Sequence, residues 1–160
     1  MKRIILFSIL FYTTFNFAKG QSSELSIVHF KNNSAYIEGN GNYWITAQSN
    51  ISLQAGLRKA IKWAKLNLEH QEEFSKEIVR IRITDKQTFE FYRKYIDGFS
   101  NEGKLVFNGF NDGTFSLSLL ISSAFGESTI FTLIRVEEIS SLIAILQGRK
   151  INNGIDKIFN

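Results

Sequence analysis

Between residues 52 and 77 the apolar positions Leu53, Leu57, Ala60, Ile61, Ala64 and Leu68 recur every three or four residues. That spacing places them on one stripe of a 3.6-residue helix. Arg58, Lys59, Lys62 and Lys65 take the other side, and Glu69, Glu72, Glu73 and Glu77 follow towards the C-terminal end. Ser49, Asn50 and Ser52 offer side-chain caps for the first turn. Gly56 falls near the start, where its propensity cost of about 1 kcal/mol is tolerated. A helix of this length spans roughly 35–40 Å, the width of a small domain, and its one apolar stripe calls for a sheet to lie on.

The charges on this helix are segregated by sign, basic first and acidic second, the reverse of what the helix dipole prefers. Two readings follow. One is a solvated face with i,i+4 pairs such as Lys65 with Glu69. The other is a bipolar docking surface for a partner.

Around the helix the pattern changes to the two-residue period of strands. Residues 24–31 are apolar and β-branched, Asn32-Asn33-Ser34 has turn chemistry, and residues 35–38 resume an extended pattern. The Gly39-Asn40-Gly41-Asn42 run reads as a turn before a strand over 43–47, because it does not open a helix and lacks a phosphate loop's third glycine. After the helix, Val79, Ile81 and Ile83 alternate with Arg80, Arg82 and Thr84, as in a half-buried strand over 78–84. Residues 85–97 carry both aromatics and a polar stripe of helical period, with Asp85 as N-cap, and read as a helix. Strands over 104–111 and 114–123 flank Asp112-Gly113, a strong hairpin signal. A strand over 128–136 follows, then a helix over 137–147 with acids in its first turn and Gly148 past its end. Residues 149–160 read as a loose tail.

Successive hairpins argue for a mainly antiparallel sheet of six or seven strands, with the long helix and the C-terminal helix packed on it: an α+β fold. Without a repeat, linker or composition shift after residue 21, residues 21–160 read as one domain.

The first twenty residues change the picture of compartment and charge. Met1-Lys2-Arg3, an apolar run to Ala18 and the small-x-small site Ala18-Lys19-Gly20 read as a cleaved secretory signal, with Gln21 as the first mature residue. The run is shorter than the ~20 residues of a membrane span, so no stable anchor is expected after cleavage. The chain is therefore expected in the periplasm or outside the cell. The formal charge of +4 owes three units to Lys2, Arg3 and Lys19, so the mature chain stands near +1 and offers no case for a nucleic-acid partner. With no cysteine, disulfides, thiolate catalysis and Cys-ligated metals are excluded.

Candidate chemistry is sparse. His70, with Glu73 nearby, is the best metal candidate, set against a solvated helix face; no cofactor is implied. The serines form no nucleophile elbow, and the carboxylate pairs Asp97 with Glu102 and Glu137 with Glu138 each have structural explanations. Aromatics are more informative, at 14% of residues. Trp63 lies at the edge of the helix stripe, and Phe91, Tyr95 and Phe99 sit in a dense aromatic group whose exposed part would mark an interaction patch. These four are the candidate binding residues of a small exported module that takes a protein partner, such as an inhibitor, an immunity-type protein or an envelope accessory factor. The alternative is a secreted hydrolase with a carboxylate or serine site. On the signal reading, intact-mass measurement of protein from a native-like host gives a chain beginning at Gln21; retention of residues 1–20 in a membrane fraction refutes it.

Overall fold

The computed structural model describes residues 14–15, 25–29, 33–38, 41–85, 101–123 and 126–149. In chain order these form β1 (Thr14–Phe15), β2 (Leu25–His29), β3 (Ala35–Glu38), β4 (Asn42–Ile45), α1 (Ala47–His70), β5 (Phe74–Asp85), β6 (Asn101–Gly109), β7 (Phe115–Ser123), β8 (Gly126–Leu133) and α2 (Val136–Leu146). Every strand pairs antiparallel with its chain neighbours, giving one meandering sheet in the order β1 to β8. Strand β1 is a two-residue pairing on β2, within the segment that the sequence reads as an export signal. The seven strands from β2 onward, with α1 and α2 packed on them, make the expected α+β fold.

Alternation assigns the faces. Leu105 and Phe107 of β6, Leu117 and Leu119 of β7 and Leu133 of β8 are fully buried beneath the helices, with Ile81 and Ile83 of β5 beside them. Each such side chain contributes on the order of 1.5–3 kcal/mol by leaving water. The opposite face of β5–β8 is polar. Arg80 reaches Glu77 at 2.6 Å and Glu102 at 2.8 Å, and Lys104 meets Glu127 at 3.0 Å. Hydrogen bonding from Arg80 holds the Glu77 carboxyl below its ordinary value, and Lys104 does the same for Glu127. Their stabilisation is present at neutral pH and fades as pH falls through those lowered values; being solvent-exposed, it is small.

Two bulges adjust the faces. In β5 the register shifts between Glu77 and Val79, which turns both Ile78 and Val79 towards α1. In β8 the shift leaves Ile130 and Phe131 both buried.

Helix α1 departs from its expected bounds at both ends. Thr46 is the N-cap, its hydroxyl accepting from the Ser49 N–H at 3.2 Å. Ser49 and Asn50 are therefore inside the helix and buried. The Ser49 hydroxyl accepts the Arg82 N–H of β5 at 3.1 Å. The Asn50 amide donates to the Asn33 carbonyl at 2.8 Å and the Leu146 carbonyl at 3.0 Å, and its oxygen accepts from Gln54. Gln54 also donates to the Leu146 carbonyl, so two α1 side chains satisfy a carbonyl at the end of α2 that has no helical partner. At the other end Gln71 turns left-handed (φ 54°) and its N–H closes on the Asn67 carbonyl. Phe74 already pairs with Gly109, so Glu72 and Glu73 lie in the connection and Glu77 on a strand. The helix read from the sequence over 52–77 runs seven residues past the observed end at His70.

Within α1 the buried line is Leu53, Gly56, Leu57, Ala60, Ala64 and Asn67; Ile61 is half-buried and Leu68 is exposed. Gly56 is a contact point, not a tolerated flaw. A Cβ there would stand 2.6 Å from Val79 Cγ1 and 3.0 Å from Leu105 Cδ2. Asp85, expected to cap a helix, ends β5 in register with Tyr43. The rest of that helix reading, 86–97, lies outside the described residues, as does the tail from 150.

The helix α2 opens on a buried Glu138 whose carboxylate accepts the Ile134 and Arg135 N–H groups at 3.0 and 3.2 Å and the Arg135 guanidinium at 2.6 Å. Gly148, at φ 69°, follows its C-terminus. Gly56→Ala tests the seating of α1. The substitution gains about 1 kcal/mol of helix propensity yet meets Val79 and Leu105, so a net loss of roughly 1–3 kcal/mol is expected in denaturant melts. A gain in stability would mean that the helix does not sit this close to the sheet.

Candidate functional site

The C-terminal half of α1 runs beside a column of aromatic rings. Phe107 stacks on Phe74 (5.5 Å between centroids) and on Phe115 (5.3 Å), across β5, β6 and β7. Trp63 meets both Phe107 (5.8 Å) and Phe74 (6.2 Å) edge-on, the arrangement that aromatic quadrupoles favour. Its other side carries the Lys59 ammonium, 4.8 Å from a ring centroid. Trp63 is half-buried, so it is structural on one edge and accessible on the other.

A shallow groove of 290 Å³ opens at that accessible edge. Trp63, Asn67 and Phe74 form its floor; Leu66, His70, Glu72 and Lys76 stand exposed at its rim. Leu66 is 50% exposed, and Leu68, 66% exposed, covers Gly113 of the neighbouring β6–β7 turn. Phe110, at the end of that hairpin, is also solvent-exposed. Three large apolar side chains thus surround one end of α1, an accumulation that soluble surfaces usually avoid unless something covers it.

Asn67 fixes the hairpin against the helix. Its amide donates to the Phe110 carbonyl at 3.2 Å and the Thr114 carbonyl at 2.7 Å. Its buried oxygen has no hydrogen-bond partner and lies against Gly109, where a Cβ would approach it to 2.5 Å. The turn itself is held by Asp112, whose carboxylate accepts the Thr114 N–H at 2.9 Å and the Thr114 hydroxyl at 2.5 Å. These bonds keep the Asp112 carboxyl below its ordinary value. Gly113 supplies the left-handed φ of 81° that the Asp-Gly turn requires.

Among the described residues Lys62, Lys65, Glu69, Glu72 and Glu73 form no ion pair; the expected Lys65–Glu69 pair is absent. Arg58 reaches only the Gln54 amide oxygen, at 3.4 Å. The helix presents Arg58, Lys59, Lys62 and Lys65 and then Glu69, with Leu66 exposed between Lys65 and Glu69.

Of the residues singled out in the sequence, Trp63 belongs to this site, whereas Phe91, Tyr95 and Phe99 lie outside the described residues. His70 is the last residue of α1. Because the chain leaves the helix there, Glu73 loses the helical spacing that linked it to His70. Among the described residues there is no grouping of three or more acidic, histidine or cysteine side chains that holds a metal. Glu102 is engaged by Arg80, and Glu138 caps α2. Leu66, Phe74 and Phe110 were missed by sequence reasoning. Leu66 carried the clearest signal, since an apolar residue among Lys62, Lys65 and Glu69 sits off the buried stripe.

Comparison with protein-family models, with curated proteins and with solved structures finds no match to this chain.

Asn67→Leu removes the side-chain donor to the Phe110 and Thr114 carbonyls, leaving them the Gly113 and Phe110 N–H groups, and crowds Gly109, so a loss of about 1–3 kcal/mol is expected. Leu68→Ser, one residue on and exposed, should change stability by less than about 0.5 kcal/mol. Urea melts of the two variants check the order; equal effects would refute the assignment of Asn67 as the anchor of the hairpin.

Proposed function

We propose that this chain is an exported binding module that engages a protein partner through the exposed face of α1 and the aromatic groove at its C-terminal end. One observation carries the reading: Leu66 stands exposed on a groove floored by Trp63 and Phe74, and Leu68 and Phe110 are exposed at the same end of α1. A half-buried tryptophan beside apolar rim residues has the composition of an interface core, where aromatic anchors dominate the binding energy. The groove is small for a drug-sized ligand and suited to one inserted side chain from a partner. Export rests on the N-terminal signal pattern, and the near-neutral mature charge favours protein over nucleic acid. A hydrolase site would need ionisable groups converging inside a pocket; here the ionisable lining residues His70, Glu72 and Lys76 are exposed at the rim, above an aromatic floor.

The test is affinity capture from the native envelope, quantified by mass spectrometry. Leu66→Asp combined with Phe110→Ser should reduce enrichment of the captured protein at least about tenfold with melting unchanged, the scale of losing an interface anchor. Ser118→Ala, on the polar face of the sheet, should leave it unaltered. Undiminished capture by the double variant would overturn the assignment of this surface.

A further inference from the structure

The exposed face of α1 is complementary to itself, and we infer that its partner is a second copy of this chain, docked antiparallel across a two-fold axis near Lys65 and Leu66. This deepens the binding reading above and rests on it. The inference starts from the order of charges. Lys62 and Glu69 lie seven residues apart, two helical turns, and so share one exposed edge of α1. Both lack an ion-pair partner among the described residues. The midpoint between them falls between Lys65 and Leu66. An antiparallel copy centred there sets Lys62 of each chain against Glu69 of the other.

The apolar surface obeys the same axis. Leu66 is 50% exposed and next to the midpoint, so the two copies of Leu66 meet at the axis, on the groove side. Neither feature is matched within the described residues of the monomer: Lys62 and Glu69 have no ion-pair partner there, and Leu66 is wet. A parallel copy would align like charges along the helix. The antiparallel arrangement satisfies both features with one isologous contact, the commonest symmetry of soluble oligomers. A contact limited to one helix and a groove rim is at the small end of stable interfaces, so association in the micromolar range is expected.

The chain has no cysteine, which makes cross-linking a clean probe. Leu66→Cys should form a covalent dimer under mild oxidation in near-quantitative yield. Ile51→Cys, on the same helix and 54% exposed, should not, because the two copies of residue 51 would lie roughly 40 Å apart along the helix axes at 1.5 Å per residue. Sedimentation equilibrium of the uncross-linked chain should show a reversible dimer. Lys62→Glu or Glu69→Lys alone should weaken it roughly tenfold, since each change makes two pairs repulsive; combined in one chain they should restore it to within about threefold. Equal cross-linking at residues 51 and 66, or additive losses in the combined variant, overturn the proposed register. A chain that stays monomeric and gives no Leu66→Cys dimer overturns self-association. In that case loss of envelope capture by Leu66→Asp with Phe110→Ser still upholds the module reading with a different partner, so the two failures are distinguishable.

Discussion

The close approach of α1 to the sheet at Gly56 governs how the rest of the molecule is arranged. Gly56, Ala60 and Ala64 repeat at four-residue spacing along the face that meets β5 and β6, so the helix seats on a row of small residues. The bulge in β5 supplies the matching surface by turning Ile78 and Val79 inward together. Tight packing of this kind permits few rotations of the helix about its own axis. Once Gly56 is seated, Trp63 must point along the aromatic column, and Lys62, Leu66 and Glu69 must point to water. The candidate surface is thus a by-product of how the buried face fits.

Polar groups fix the ends of that buried row. Asn50 sits at one end and Asn67 at the other, both nearly inaccessible, and each binds backbone carbonyls of a segment distant in sequence. Ser49 adds a bond to β5. Apolar contact is tolerant of sliding, whereas a buried amide is costly when its partners are misplaced. The two asparagines therefore set the position of α1 along its axis, and Glu138 performs a similar office at the start of α2.

Much of this architecture was legible in the sequence because it depends on period and turn chemistry. The alternation of Val79, Ile81 and Ile83, the Asp112-Gly113 turn and the acids opening α2 each specify a local structure with little outside help. The misplaced features depend on partners far along the chain. Asn50 looked like a cap because its short amide suits one; its actual partners are Asn33 and Leu146. Gly56 looked like a weakness because the residues it admits, Val79 and Leu105, are remote. Helical period persisted through Glu77 in the sequence, yet strand pairing of Phe74 with Gly109 took precedence. Trp63 was identified at the margin of the stripe, but its neighbours Phe74 and Phe107 were out of reach of periodicity, as was the exposure of Leu66.

The bond between Asn50 and the Leu146 carbonyl spans 96 positions, although the strands around it are joined by near-neighbour hairpins. Chain growth from the ribosome is vectorial, so hairpins such as β6–β7 have all their backbone partners soon after synthesis. Asn50 does not. Its amide has only the Asn33 carbonyl until α2 arrives and supplies that of Leu146. The domain is in this sense closed from the far end: a nascent chain truncated before Leu146 holds nearly the whole sheet but not the clasp, and its sheet is still easily undone.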